Sequence, residues 1–165
     1  MKIAYQGKDP VVDYDEQAAI FKARYGYSLP ADYIRFLKEN GAGGSPEPGF
    51  FDGICQLEII YNLCFDESIQ KWDLAHLVYE EYVAEGWLSK NLLPIASADG
   101  SHTIFCLILS GPLRGKILWR MDDNILLPDD YDENVFNIPN REIVIASNIN
   151  DFISKLEMEP RPYDS

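Results

Sequence analysis

Leu29-Pro30-Ala31-Asp32-Tyr33-Ile34-Arg35-Phe36-Leu37-Lys38-Glu39-Asn40-Gly41-Ala42-Gly43-Gly44 reads as a short helix with both of its ends written in the sequence. Pro30 suits a first helical turn, where its missing N–H has no intrahelical partner and its φ is already helical. Tyr33, Phe36, Leu37 and Asn40 recur at three- and four-residue steps, so the first three share one buried stripe. Gly41, Gly43 and Gly44 end the helix, because glycine enters the left-handed region without a Cβ clash.

Working outward, Tyr14, Ala18, Phe21 and Tyr25 predict an earlier helix from Asp13 to Gly26, with Asp15, Glu16, Lys22 and Arg24 mostly outside its inner face. The Gly- and Pro-rich segment from Gly41 to Gly53 reads as a loop. Leu57 to Asn62 reads as a strand, with Glu58 and Ile60 on the face opposite Leu57, Ile59 and Tyr61. A third helix is expected from about Ile69 to Gly86, carrying Leu74, Leu77, Val78 and Tyr82 inward and acids outward.

The period then changes. Leu92 to Ser97, Thr103 to Leu109 and Lys116 to Met121 read as three strands of a meander, turned at Asp99-Gly100 and Ser110 to Gly115. Ile143 to Ala146 makes one more short strand. Asn148 caps a closing helix whose stripe is Ile149, Phe152, Ile153 and Leu156. From Glu159 onward two prolines predict a frayed tail. Strands grouped in sequence argue for α+β with an antiparallel sheet rather than a βαβ wind. One domain over 1–165 is expected, with its core at about 13–157 and a tail at 158–165.

These blocks, taken in order, resemble the SUKH superfamily, the Smi/Knr-like domains. Leu29 to Gly44 is similar to its "L-P-x-x-[YF]-x-x-F-L-x-x-x-N-G-G" opening. Leu93 to Gly100 resembles its "apolar-P-I-A-x-x-x-G" strand and turn, and Thr103 to Leu107 its "x-x-[FY]-C-[LF]" strand. Gly115 to Trp119 resembles "G-x-[VI]-x-[FW]", and Ser147 to Leu156 the closing "S-F-x-x-F-L-x-x-L" helix, with Ile149 where Phe is frequent. The resemblance implies a mostly antiparallel, curved sheet with helices packed on it and a non-enzymatic role. Bacterial members look like immunity proteins that neutralise a cognate toxin, often a nuclease. Fungal relatives look like cell-wall synthesis regulators acting through protein interactions, which is the alternative reading.

The charge balance is the outlier of the composition. Twenty-seven acids oppose fourteen bases, for a formal net charge of −13. Such a surface repels nucleic-acid phosphates, so direct DNA or RNA binding is disfavoured. It attracts a basic protein and steers its encounter, and a nuclease toxin with a basic groove is such a protein. The first nine residues hold no apolar run of signal-peptide length, and nothing approaches the roughly 18 uninterrupted apolar residues of a membrane span. Three cysteines at wide spacing (Cys55, Cys64 and Cys106) read as reduced thiols. A cytoplasmic protein without membrane contact is expected.

No catalytic constellation emerges. Asp99, Ser101 and His102 share a turn, where adjacent side chains do not converge as a triad does. His76 and His102 have no metal-ligand spacing, and Gly41 to Gly44 follows a helix rather than a strand, so it is no phosphate cradle. Neither cofactor nor metal is expected. The distinctive feature is a run holding Asp122, Asp123, Asp129, Asp130, Asp132 and Glu133 with no base among them. As a solvated loop it needs no function. As a docking surface it would steer a basic partner, with Tyr131 and Phe136 as aromatic anchors. Asp73, Glu80, Glu81 and Glu85, on the outer side of the third helix, form a second candidate face. An exposed antiparallel edge would also permit a homodimer.

Overall fold

The computed structural model describes residues 1–5, 12–53, 55–66, 74–98, 103–121, 142–160 and 162. Helix α1 (Tyr14–Tyr25) starts where Asp13 accepts a hydrogen bond from the Glu16 N–H at 3.1 Å. It stops at Gly26, whose φ of 83° only glycine tolerates cheaply. Helix α2 (Ala31–Asn40) buries Tyr33, Phe36 and Leu37 as the spacing requires. Pro30 stands one place earlier than expected. It is the N-cap, with an extended ψ of 138°, and not a member of the first turn. The Gly41 N–H donates to Leu37 O at 2.8 Å and ends the helix.

The Gly- and Pro-rich segment that follows is more than a loop. It holds β2 (Gly44–Glu47) and β3 (Phe50–Phe51), and β2 pairs antiparallel with β1 (Lys2–Tyr5), from Lys2↔Glu47 to Tyr5↔Gly44. Pro46 is tolerated there because β2 pairs with β4 (Cys55–Ile60) only at Gly44↔Ile60. Beyond that point the Ser45 hydroxyl, donating to Glu58 O at 2.6 Å, replaces the ladder.

The remaining elements are α3 (Ala75–Ala84), β5 (Leu92–Ala98), β6 (Thr103–Ile108), β7 (Ile117–Met121), β8 (Glu142–Ala146), α4 (Ile149–Ser154) and β9 (Leu156–Glu157). The sheet runs β1-β2-β4-β5-β6-β7-β8, every described neighbour antiparallel, with β3 pairing β4 and β9 beside it. This is the expected α+β architecture, and the meander β5-β6-β7 is its centre.

Bulges make the sheet's two faces differ from a simple alternation. Leu57 pairs with Ala98 and Ile59 with Ser97, so Glu58 is an extra residue in β4. Ile60 therefore shares the buried face with Leu57 and does not lie opposite it. Ile95 plays the same part in β5, between Pro94↔Cys106 and Ala96↔Phe105. Leu93, Ala96, Phe105, Leu107 and Ile117 join Tyr14, Phe21, Tyr33, Leu37 and Phe152 in the main core. The other face carries a smaller cluster of Leu92, Ile104, Cys106, Ile108 and Leu118, covered by Leu88 with Tyr82 and Val83.

Two helix expectations need correction. Helix α3 starts at Ala75 and not near Ile69, with Leu74 as its extended N-cap, and it turns Ala75, His76 and Tyr79 inward while Leu77, Val78 and Tyr82 are half-buried. Its orientation is set at the start, where Asn62 bridges Leu74 and accepts from the Ala75 N–H at 2.9 Å. The closing helix ends at Ser154, so Leu156 is a strand residue opposite Phe51 and not a fourth member of the helical stripe. Its Asn148 cap is as expected, accepting from the Asp151 N–H at 2.8 Å.

Candidate partner-binding surface

The acidic run with Asp122, Asp123, Asp129, Asp130, Tyr131, Asp132, Glu133 and Phe136 lies outside the described residues, as do Asp73 of the second face and Asp99, Ser101 and His102. The second face is otherwise in view. Glu80, Glu81 and Glu85 are exposed on α3 and at its C-cap, and that helix carries no basic residue in its last turn. Three carboxylates on a single exposed helical surface give a local negative field that steers cations toward it.

Glu80 does more than face solvent. Its carboxylate accepts a hydrogen bond from the Tyr25 hydroxyl at the end of α1, which ties the two helices together across a groove. Burial, followed by this contact with a carboxylate, pushes the Tyr25 hydroxyl well above the ordinary phenol range. The groove has a volume of about 380 Å³. Arg24, Tyr25 and Tyr27 line one side, Glu80 and Ala84 the other, and Lys90 closes it. Tyr79 lies at its base, donating to Lys90 O at 2.7 Å, and burial pushes its hydroxyl up to about 12.

An aromatic seam stiffens this region from below. Tyr25 meets Tyr79 edge-on at 5.0 Å between ring centroids and Phe21 at 4.8 Å, and Arg24 lies 4.6 Å over the Phe65 ring. His76 is fully buried, its ring 4.3 Å from that of Phe65. The groove was not anticipated from the sequence. Its residues come from three separated segments, and the only signal was the concentration of tyrosine at Tyr25-Gly26-Tyr27.

Among the described residues no group of three or more His, Cys, Asp or Glu side chains could hold a metal ion, and no helix is long and apolar enough to cross a membrane. All three cysteines are buried and none is in a disulfide among the described residues. A mostly antiparallel sheet with helices packed on it defines an α+β domain, and a groove of mixed charge lies between α1 and α3. The model of the SMI1 / KNR4 family (SUKH-1) matches residues 15–155, and the chain belongs to that family. Among curated proteins none matches this sequence.

Proposed function

We propose that this protein is a non-enzymatic binder of the immunity type, neutralising a cognate toxin domain, most simply a nuclease with a basic nucleic-acid groove. The observation that carries the reading is the pairing of family membership with a net charge of −13. Exposed Glu80, Glu81 and Glu85 supply part of the complementary field, and the acids between Asp122 and Glu133 supply more. An acidic protein seated in such a groove excludes the nucleic acid by occupying the phosphate positions. The work is done by occlusion, so no residue of this chain needs to react.

The test is affinity capture at low salt from the native host with the full chain as bait, followed by an activity assay of the purified partner. One basic toxin domain in stoichiometric yield, released by salt and inhibited on re-addition, is the expected result. Recovery of cell-wall synthesis or signalling proteins in its place overturns the toxin reading in favour of a regulatory scaffold. With the toxin in hand, changing Glu81 and Glu85 together to Gln, with Glu80 kept because it holds the Tyr25 hydroxyl, should slow association severalfold at low salt, within the range that steering contributes. The same comparison with Asp129, Asp130 and Asp132 changed to Asn assigns the other acidic segment. Melting temperature should stay nearly constant in both.

A further inference from the structure

The groove between α1 and α3 has a charge opposite to that of the molecule around it. Arg24 and Lys90 line it against Glu80 alone, an excess of one positive charge in a chain whose formal net charge is −13. Glu80 is already engaged by the Tyr25 hydroxyl, and Arg24 is drawn over Phe65. Among the described residues no carboxylate pairs with the Lys90 ammonium. The walls between these charges are tyrosine rings and Ala84, which suit the flat face of an aromatic side chain. A carboxylate inserted here would meet the Lys90 ammonium, whereas a basic side chain would face Lys90 and Arg24 against the one carboxylate of Glu80.

Resting on the reading that this face docks a protein partner, we propose that the groove receives a partner segment placing an aromatic side chain beside a carboxylate. The two charge features then divide the task. The exposed acids attract a basic partner from a distance, and the groove selects an acidic-aromatic anchor on it. Such an anchor discriminates by charge, because a carboxylate is attracted to the exposed Lys90 ammonium while a basic side chain is repelled by it.

The experiment is an NMR titration of the full chain with two probes, acetyl-Phe-Asp-amide and acetyl-Phe-Lys-amide. The first should give saturable shifts at residues 24–27 and 79–90, with at least tenfold tighter binding than the second. Lys90→Glu, an exposed substitution, should reverse that preference. Ala84→Trp, also exposed, should fill the groove and abolish both responses without changing the melting temperature. Equal binding of the two probes, absence of saturable shifts, or shifts that survive Ala84→Trp overturns the proposal. Failure here is separable from failure of the toxin reading. A toxin still inhibited at full affinity by the Ala84→Trp protein removes the groove and keeps the function, whereas probe binding without a recovered toxin does the reverse.

Discussion

Tyr14 on α1 and Tyr33 on α2 are electrostatic neighbours in the core, and replacing each with Phe should shift stability in opposite directions. Both side chains are buried, Tyr14 at 8% exposure and Tyr33 at 0%. The Tyr14 hydroxyl donates to Asn62 Oδ1 at 2.9 Å. The Tyr33 hydroxyl has no hydrogen-bond partner among the described residues, and its burial, with Tyr14 adding a smaller effect, raises its pKa beyond the ordinary phenol range. A buried hydroxyl left unpaired costs about 1–3 kcal/mol relative to water. Tyr33→Phe removes that cost and leaves an oxygen-sized void worth only about 0.3 kcal/mol at the usual cavity rate. A net gain of about 1 kcal/mol results. Tyr14→Phe loses its hydrogen bond and strips Asn62, itself 2% exposed, of that donor, for a loss of about 1–2 kcal/mol.

Urea denaturation at constant m-value measures both changes. In a domain of this size the Tm should rise by about 2–4 °C for Tyr33→Phe and fall by about 2–8 °C for Tyr14→Phe. A loss of 1 kcal/mol or more in Tyr33→Phe would refute the reasoning, since it would show that the hydroxyl is satisfied in the folded protein. The double variant should depart from additivity, because the two hydroxyls are electrostatic neighbours.

Phe152→Ala should be far more costly, about 3–5 kcal/mol by chemical denaturation, since Phe152 is 1% exposed and stacks on Phe51 at 5.3 Å and against Phe105 at 5.1 Å. Alkaline pH should destabilise the fold. Burial pushes Tyr61 and Tyr79 up to about 12 and raises Tyr25 and Tyr33 as well, above the ordinary phenol value of 10.0. Their contribution is complete below pH 10 and is lost as pH rises toward 12, because the folded state then holds protons the unfolded chain has released. Thermal melts across that window, with tyrosinate absorbance appearing together with unfolding, check it. At the acid end, the Ser147 N–H donating to Asp151 at 2.8 Å holds that carboxyl below the usual range, with Lys155 at 3.4 Å assisting. Its stabilisation is present above the ordinary carboxylate value and fades as pH falls through the lowered one. The Tm difference between the native chain and Asp151→Asn should therefore shrink on acidification.

What was legible in the sequence was what short-range chemistry decides. Asp13, Gly26, Gly41 and Asn148 terminate helices through contacts within four residues, so α1, α2 and the start of α4 fall where expected. Strands β2 and β3 were hidden because Gly44, Pro46 and Gly49 have turn composition, and only their pairing with β1, β4 and β9 holds them extended. Glu58 and Ile95 each advance the chain by one residue without changing its hydrophobicity, so a two-residue period assigns Ile60 to the wrong face. The groove was illegible for a related reason. Arg24, Tyr79 and Lys90 meet only after α1 and α3 are docked, and no local pattern marks any of them.

The same bulge chemistry bears on the proposed docking surface. The edge strand β8 pairs only with β7 among the described residues, and Val144 on it is 42% exposed, which would ordinarily invite a further strand. Yet Ile145 is the extra residue of a bulge between Ile117↔Ala146 and Leu118↔Val144. Its carbonyl is occupied by the Lys155 ammonium at 2.6 Å. A strand added there, from a second copy or another protein, must displace that charge-assisted bond and straighten a bent edge before forming a ladder. Both are costs that an encounter on α3 does not meet. There the carboxylates are solvated, the groove is already open, and the tyrosine rings lining it are held by contacts in the core. The proposed docking surface at the helix ends therefore needs no rearrangement of the fold, whereas strand addition at the β8 edge does.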